Sequence, residues 1–177
     1  MDEPLSSLDA KLRESLRVEL KNIQTNLKAT ILYVTHDQAE ATTLADKIGV
    51  LKEGKIVQIG APEEIYENPD SIYVSQRLGS PKINILPSSI FGMTDKITSV
   101  GIRPENISIG SGQYSGKIIS VENLGSETVV AISFKEHEIL ASIQGNYKSS
   151  INEIINFDFN TQKVLNFDEK GNRIYER

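Results

Sequence analysis

Cysteine is absent from the 177 residues, which excludes disulfides and thiolate-held metals. A basic surplus is absent too. Lys and Arg number 9 against 13 Asp and Glu in residues 1 to 80, and 10 against 11 in residues 81 to 177. Neither half has the positive charge that would neutralise a nucleic-acid backbone, so no nucleic-acid partner is expected. No apolar run approaches the roughly 20 residues of a membrane-spanning helix. The acidic start Met1-Asp2-Glu3 argues against a secretory leader. These absences lead us to expect a cytoplasmic protein with no direct membrane insertion, reaching a membrane only through a partner. A further absence is G-x-x-x-x-G-K-[ST], the loop whose backbone amides cradle phosphates while its lysine neutralises them. The nearest stretch runs from Gly110 to Ile118. There Gly110 lies six positions before Gly116 and Gly112 only four, and Ile118 stands where a metal-binding hydroxyl is needed.

The composition that remains is that of an ordered globular chain, 38% hydrophobic and 24% charged. Asp2 and Glu3 precede Pro4, which disfavours helix at Glu3 and suits the exit of a strand of which Met1 is the remnant. Ser6-Ser7-Leu8-Asp9 fits a capping box. Leu8, Leu12, Leu16, Leu20, Ile23 and Leu27 then recur at helical spacing, with Lys11, Arg13, Glu14, Arg17 and Lys21 filling much of the other face. Ile31 to Thr35 reads as a strand buried on both faces, delivering His36-Asp37. Asp37-Gln38-Ala39-Glu40 is a second capping box, opening a helix to about Ala45. The expected strand–turn–helix–strand unit places Asp2, Glu3 and His36 at the carboxyl ends of neighbouring parallel strands, where open α/β sheets bind ligands. An acidic pair there suits a water-coordinated Mg²⁺ and an oriented attacking water.

Farther along, Lys47 to Lys52 and Lys55 to Ile59 predict a hairpin turning at Glu53-Gly54. Pro62 and Pro69 suit first positions of helices, the second ending near Leu78. Ala61, lacking a side-chain acceptor, weakens the first cap by roughly 1 kcal/mol. Composition changes at Gly79-Ser80-Pro81, and we place a domain boundary at about residue 81. Beyond it, short runs such as Lys117 to Val121, Thr128 to Phe134, Ile139 to Ile143 and Val164 to Phe167 suggest a small β-barrel. Tyr114, Phe134, Phe157, Phe159 and Phe167 are expected in its core.

Several stretches carry a resemblance. Met1-Asp2-Glu3-Pro4-Leu5-Ser6-Ser7-Leu8-Asp9-Ala10-Lys11-Leu12-Arg13 resembles the Walker B segment and D-loop of ABC transporter ATPases. Tyr33-Val34-Thr35-His36-Asp37-Gln38-Ala39-Glu40-Ala41 is similar to their switch-histidine loop. Asp46-Lys47-Ile48, Gly54 to Gly60 and Pro62 to Tyr66 look like the end of the same domain. Gly79 to Asn84 and Gly101-Ile102-Arg103-Pro104-Glu105 look like the linker and C-terminal regulatory domain of carbohydrate-importer ATPases of the maltose, glycerol-3-phosphate and multiple-sugar type. The fold this implies is α/β plus all-β. Residues 1–80 would be the C-terminal portion of a P-loop-type nucleotide-binding domain, and residues 81–177 an OB-like (TOBE) β-barrel regulatory domain.

The same resemblance implies roles. Asp2 would hold Mg²⁺ through water, Glu3 would be the general base, and His36 would contact the γ-phosphate. Ser6, Ser7 and Asp9 would form the D-loop, which acts across a dimer. ATP and Mg²⁺ are implied for the intact parent, and neither is expected to bind in this chain. The implied partners are a second copy, making a homodimer, and transmembrane permease subunits. The Leu-Ser-Gly-Gly-Gln signature and the glutamine loop of the family are not in this sequence, and the stretch between Asn84 and Arg103 is shorter than the family pattern. The expectation is therefore a regulatory and dimerising part of a sugar importer's ATPase subunit that does not hydrolyse ATP alone. A reading of another class is a stand-alone OB-like module binding a regulator, small anion or sugar.

Overall fold

The computed structural model describes residues 1–93 and 96–175. Contacts divide the chain into Met1–Asn68 and Pro69–Arg177. The division precedes the compositional change at Gly79-Ser80-Pro81. The reason is local: the Ile72 amide donates to the Gly171 carbonyl at 2.9 Å, and Arg103 Nη1 donates to the carbonyls of Ser75 and Leu78 at 3.1 and 2.7 Å. Residues just before the change are thereby tied to the β-rich unit.

In the first unit α1 (Ala10–Leu27) starts at Asp9, whose carboxylate accepts from the Leu12 amide at 3.0 Å. The expected capping box from Ser6 is not made, because the Ser6 hydroxyl turns back to the Glu3 carbonyl at 2.9 Å. α1 ends at Lys28 in the left-handed conformation, φ 52°. Its orientation corrects the sequence reading. The half-buried stripe is Arg13, Leu16, Arg17, Leu20, Lys21 and Gln24, while Leu12, Val18, Ile23 and Leu27 are exposed. Long cationic side chains lie along the packed face, with the heads of Arg13 and Lys21 bonded. Lys21 Nζ donates to the Leu44 carbonyl at 3.0 Å and pairs with Asp46 at 3.1 Å.

The stretch Ile31–Thr35 also departs from expectation. It forms a single parallel bridge, Asp2 to Val34, and Leu32 is 82% exposed. A strand buried on both faces needs neighbours on either side, and one bridge supplies neither a sheet nor a cover. α2 (Gln38–Leu44) follows, capped by Asp37. β1 (Ile48–Lys52) and β2 (Lys55–Gly60) form the predicted hairpin. Its turn residues Glu53 and Gly54 have φ of 49° and 76°, the left-handed pair that a type I′ turn requires. α3 (Pro62–Glu67) has no side-chain cap at Ala61.

The second unit opens with α4 (Ile72–Ser75), capped by Ser71 rather than begun at Pro69. The strands are β3 (Asn84–Pro87), β4 (Ser99–Ile102), β5 (Ile107–Asn123), β6 (Glu127–Phe134), β7 (His137–Gln144), β8 (Ile154–Phe159), β9 (Leu165–Phe167) and β10 (Arg173–Ile174). They make two antiparallel four-stranded sheets, ordered β10-β9-β4-β3 and β7-β6-β5-β8. Leu86, Val100, Ile102, Ile118, Val130, Ile132, Ile139 and Phe157 fill the space they enclose. Asn84 links the sheets: its Nδ2 donates to the carbonyls of Ile102 and Leu140, and its Oδ1 accepts the Leu140 amide at 2.7 Å. A buried amide so fully satisfied fixes β3 against β7. The glycine-rich stretch that imitates a phosphate loop is a bulge in β5. Register passes from Ile109 opposite Phe157 directly to Tyr114 opposite Phe157, with Gly110 and Gly112 at φ 102° and 139°. The aromatic residues converge. Phe91, Tyr114, Phe134, Phe157 and Phe159 have ring centroids 5.1 to 6.1 Å apart, in mostly edge-on pairs.

Candidate functional site

The parallel bridge is what brings the predicted site residues together. The Glu3 amide donates to the Val34 carbonyl, and the Val34 amide to the Met1 carbonyl, each at 2.9 Å. With these segments in register, Glu3 and His36 leave the bridge side by side, and His36 Nδ1 lies 2.8 Å from Glu3 Oε1. Glu3 adopts a left-handed φ of 42° as the chain turns into Pro4. His36 is 74% exposed at its side chain. Its hydrogen bond to Glu3 and the negative charge there, outweighing a small loss of hydration, raise its pKa above the ordinary imidazole value.

Of the remaining predicted residues, Asp2 sits on the bridge and is exposed, as are Ser6 and Ser7. Asp9 is occupied as the cap of α1. The Ser6–Asp9 segment is a turn closed by the Ser6 and Leu8 amides on the carbonyls of Glu3 and Leu5, both at 3.2 Å, with Leu5 buried.

A polar frame that the sequence reading did not anticipate holds the histidine turn. Glu40 is 2% exposed, and its Oε2 accepts from Thr35 Oγ1 at 2.7 Å and Tyr33 Oη at 3.0 Å. Thr35 Oγ1 in turn accepts the Asp37 amide at 3.0 Å. Asp37 Oδ1 accepts the amides of Ala39 and Glu40 at 2.7 and 3.2 Å. The second capping box is therefore half made: Asp37 caps, and Glu40 turns inward instead of back to the Asp37 amide. Burial, then the bond and charge of Glu40, push the Tyr33 hydroxyl up to about 12. Burial would raise the Asp37 carboxyl, but the Glu40 and Ala39 amides with Arg17 and Arg13 hold it below its usual value. The available signal was alternation. Tyr33 and Thr35 share a side of an extended segment, and the capping-box glutamate was the nearest acceptor in sequence for both.

Whether these groups fit ATP and Mg²⁺ is decided by their donors. Glu3 and His36 occupy each other, and of the predicted residues Asp2 alone offers a free-standing exposed carboxylate. Among the described residues, no three His, Asp or Glu side chains converge on a metal position. The set suits one edge of a phosphate–metal site and does not make a complete one, so we derive no step through either group.

The chain thus combines an exposed Glu3–His36 pair on parallel extended segments with an antiparallel β unit of OB-like type. Comparisons with known proteins give the family. Residues 100–155 match the TOBE domain family. The chain is 37% identical to the sulfoquinovosyl glycerol transport ATP-binding protein SmoE of Agrobacterium fabrum, over 97% of this chain and 55% of that protein. It is 41% identical to the sn-glycerol-3-phosphate import ATP-binding protein UgpC 1 of Rhizobium etli, over 80% of this chain and 44% of that protein. It is 37% identical to the corresponding UgpC protein of Rhizobium meliloti, over 98% and 55%. The chain spans about half the length of the curated relatives it matches. It belongs with the ATP-binding subunits of ABC importers and corresponds to the C-terminal part of such a subunit, with its TOBE domain.

Proposed function

We propose that this chain supplies the catalytic-base and regulatory portion of an ABC importer's ATPase subunit, which couples ATP hydrolysis to uptake of a carbohydrate-type solute. The observation that carries this reading is the 2.8 Å pairing of Glu3 with His36 directly after the Asp2–Val34 bridge. Glu3 is the general base for the attacking water, His36 the γ-phosphate contact and Asp2 the water-mediated Mg²⁺ ligand. Ser6, Ser7 and Asp9 form the D-loop that faces a second copy. ATP and Mg²⁺ are cofactors of the intact subunit. Its partners are a second copy and transmembrane permease subunits, and it works at the cytoplasmic face of the membrane. No described helix is long and apolar enough to cross a membrane, which is compatible with attachment through a permease. The relatives' names support glycerol-phosphate or sugar-glycerol conjugates as the solute class.

A chimera tests the reading. The front half of a matched relative, carrying its phosphate loop, is joined ahead of Met1, and ATP hydrolysis is measured. We expect activity that Glu3→Gln lowers at least about 100-fold, the lower end of what a positioned general base contributes. Activity indifferent to Glu3→Gln sinks the assignment. For the chain by itself we expect no ATP affinity tighter than about 10 μM, roughly -7 kcal/mol. Tight binding of a sugar or small anion by the chain alone would favour an independent binding module instead.

A further inference from the structure

Arg13 connects the two turns that hold the candidate site. Its Nη2 donates to the Leu8 carbonyl at 2.9 Å, at the end of the Ser6–Asp9 turn, and its Nη1 lies 3.4 Å from Asp37 Oδ2. Both side chains are mostly shielded, 29% and 25% exposed. The two oxygens of Asp37 divide the work. Oδ1 is committed to the amides that start α2, which leaves Oδ2 for the guanidinium. Asp37 is also bonded through its amide to Thr35, and Thr35 to Glu40, so His36 sits between two anchored neighbours. Ser6, Arg13, Thr35, His36, Asp37 and Glu40 line one small pocket of roughly 100 Å³.

We propose that Arg13 is a positioning residue that couples the Ser6–Asp9 turn to the Thr35–Asp37 turn, so that movement of the first reorients His36. A planar guanidinium can hold a carbonyl and a carboxylate at once through separate N–H groups, whereas a lysine ammonium on a flexible stem serves them poorly together. The charged groups around this point are Asp37, Glu40 and Glu3 on the acidic side and Arg17, one turn along α1, on the basic side. The functional weight of the coupling rests on the reading of His36 and the D-loop given above, but the coupling itself is a property of this chain without nucleotide.

The test is amide exchange and a ¹H–¹⁵N titration of the His36 ring in the isolated chain, whose two histidines are separated by a His137→Gln control. We expect Arg13→Gln to speed exchange at the Asp37 amide at least tenfold and to move the His36 midpoint down, toward the ordinary imidazole value, as the Glu3 pairing loosens. Removing a nearby cation by charge alone would move that midpoint up, so the sign separates positioning from simple electrostatics. Arg13→Lys should fall between. Asp37→Asn keeps an N-cap and removes the ion pair. It should reproduce the Arg13→Gln effect on exchange, with the double variant no worse than either single one; its midpoint does not discriminate, since the Asp37 charge itself raises the His36 value. Additive effects, an upward midpoint, or exchange unchanged within error would overturn the proposal. If Arg13→Gln unfolds α1, exchange at residue 37 in Asp37→Asn decides, because loss of the Asp37 charge alone would also lower the His36 midpoint. A chimera insensitive to Glu3→Gln would remove the catalytic reading alone, and the exchange and titration results would still decide the role of Arg13.

Discussion

At the scale of single residues, the Glu3–His36 pair makes a prediction with a definite sign. The folded chain holds the His36 proton more tightly than the unfolded chain, because Glu3 accepts from it and lends it negative charge. The stabilising contribution is thus fully present below the unfolded imidazole pKa and is lost as pH rises through the higher folded value. Glu3→Gln should lower the His36 midpoint and flatten this part of the stability–pH curve; a midpoint unmoved by that substitution would refute the pairing. Glu40 acts differently. Removing its buried carboxylate by Glu40→Ala strands two hydroxyl donors, and the loss should be about 1–3 kcal/mol in chemical denaturation. Glu40→Gln keeps an acceptor and should cost less. The juxtaposition of Glu3 and His36 was legible in the sequence. The acidic pair and the histidine after the apolar run do meet, because the Asp2–Val34 bridge sets Glu3 level with His36. What was not legible was which polar residues fold inward. Arg13 looked like part of a solvated face, and Glu40 like a cap, because pattern alone does not show which acceptor wins a donor.

Elements tell the same story from packing. The existence of α1, the turn of the β1–β2 hairpin and the missing cap at Ala61 all followed from local rules, whereas the start of α1 did not, since Asp9 and not Ser6 caps it. The hairpin turn needs left-handed residues and Glu53-Gly54 supplies them. The facing of α1 did not follow, since periodicity gives the apolar stripe but not what lies against it. Leu12, Val18, Ile23 and Leu27 stay exposed, and no residue of α1 is buried. Protection should therefore be uneven. In native-state exchange, amides of residues 10–27 should open with much lower free energy than those of β6, whose Val130 and Ile132 are fully buried. Equal protection in both would contradict this. Ala61→Ser should add the absent acceptor at α3 and stabilise the first unit by roughly 0.5–2 kcal/mol. The β unit shows a complementary gap in legibility. Its aromatics are scattered along the sequence and gather only because strand pairing sets Tyr114 opposite Phe157. Phe91, within that cluster, carried no sequence signal of its own.

At the scale of the whole molecule the open matter is association. A homodimer formed largely through residues 81–177 is the expectation, and the β unit offers a surface for it. Among the described residues each four-stranded sheet ends in strands with one unpaired edge, and β8 is such an end. Ile151 and Ile154, at the entrance to β8, are 62% and 75% exposed. Ile154 lies opposite Lys117, so apolar side chains stand at a strand that among the described residues is paired on one side only. Isolated edges of this kind are templates for pairing, and a stable contact should bury more than about 1,000 Å² in total. Sedimentation at several concentrations decides the matter. A single species of 19.6 kDa at tens of micromolar, the mass of one chain, would end the dimer proposal. If a dimer is present, Ile154→Lys places a second cation beside Lys117 on that edge and should weaken association at least tenfold, about 1.4 kcal/mol. The side chain is exposed in the single chain, so the substitution should leave the thermal midpoint of the β unit nearly unchanged. A dimer indifferent to Ile154→Lys would move the interface away from β8, to the exposed apolar residues of α1, where Leu12→Lys and Ile23→Lys would then be the variants that dissociate it.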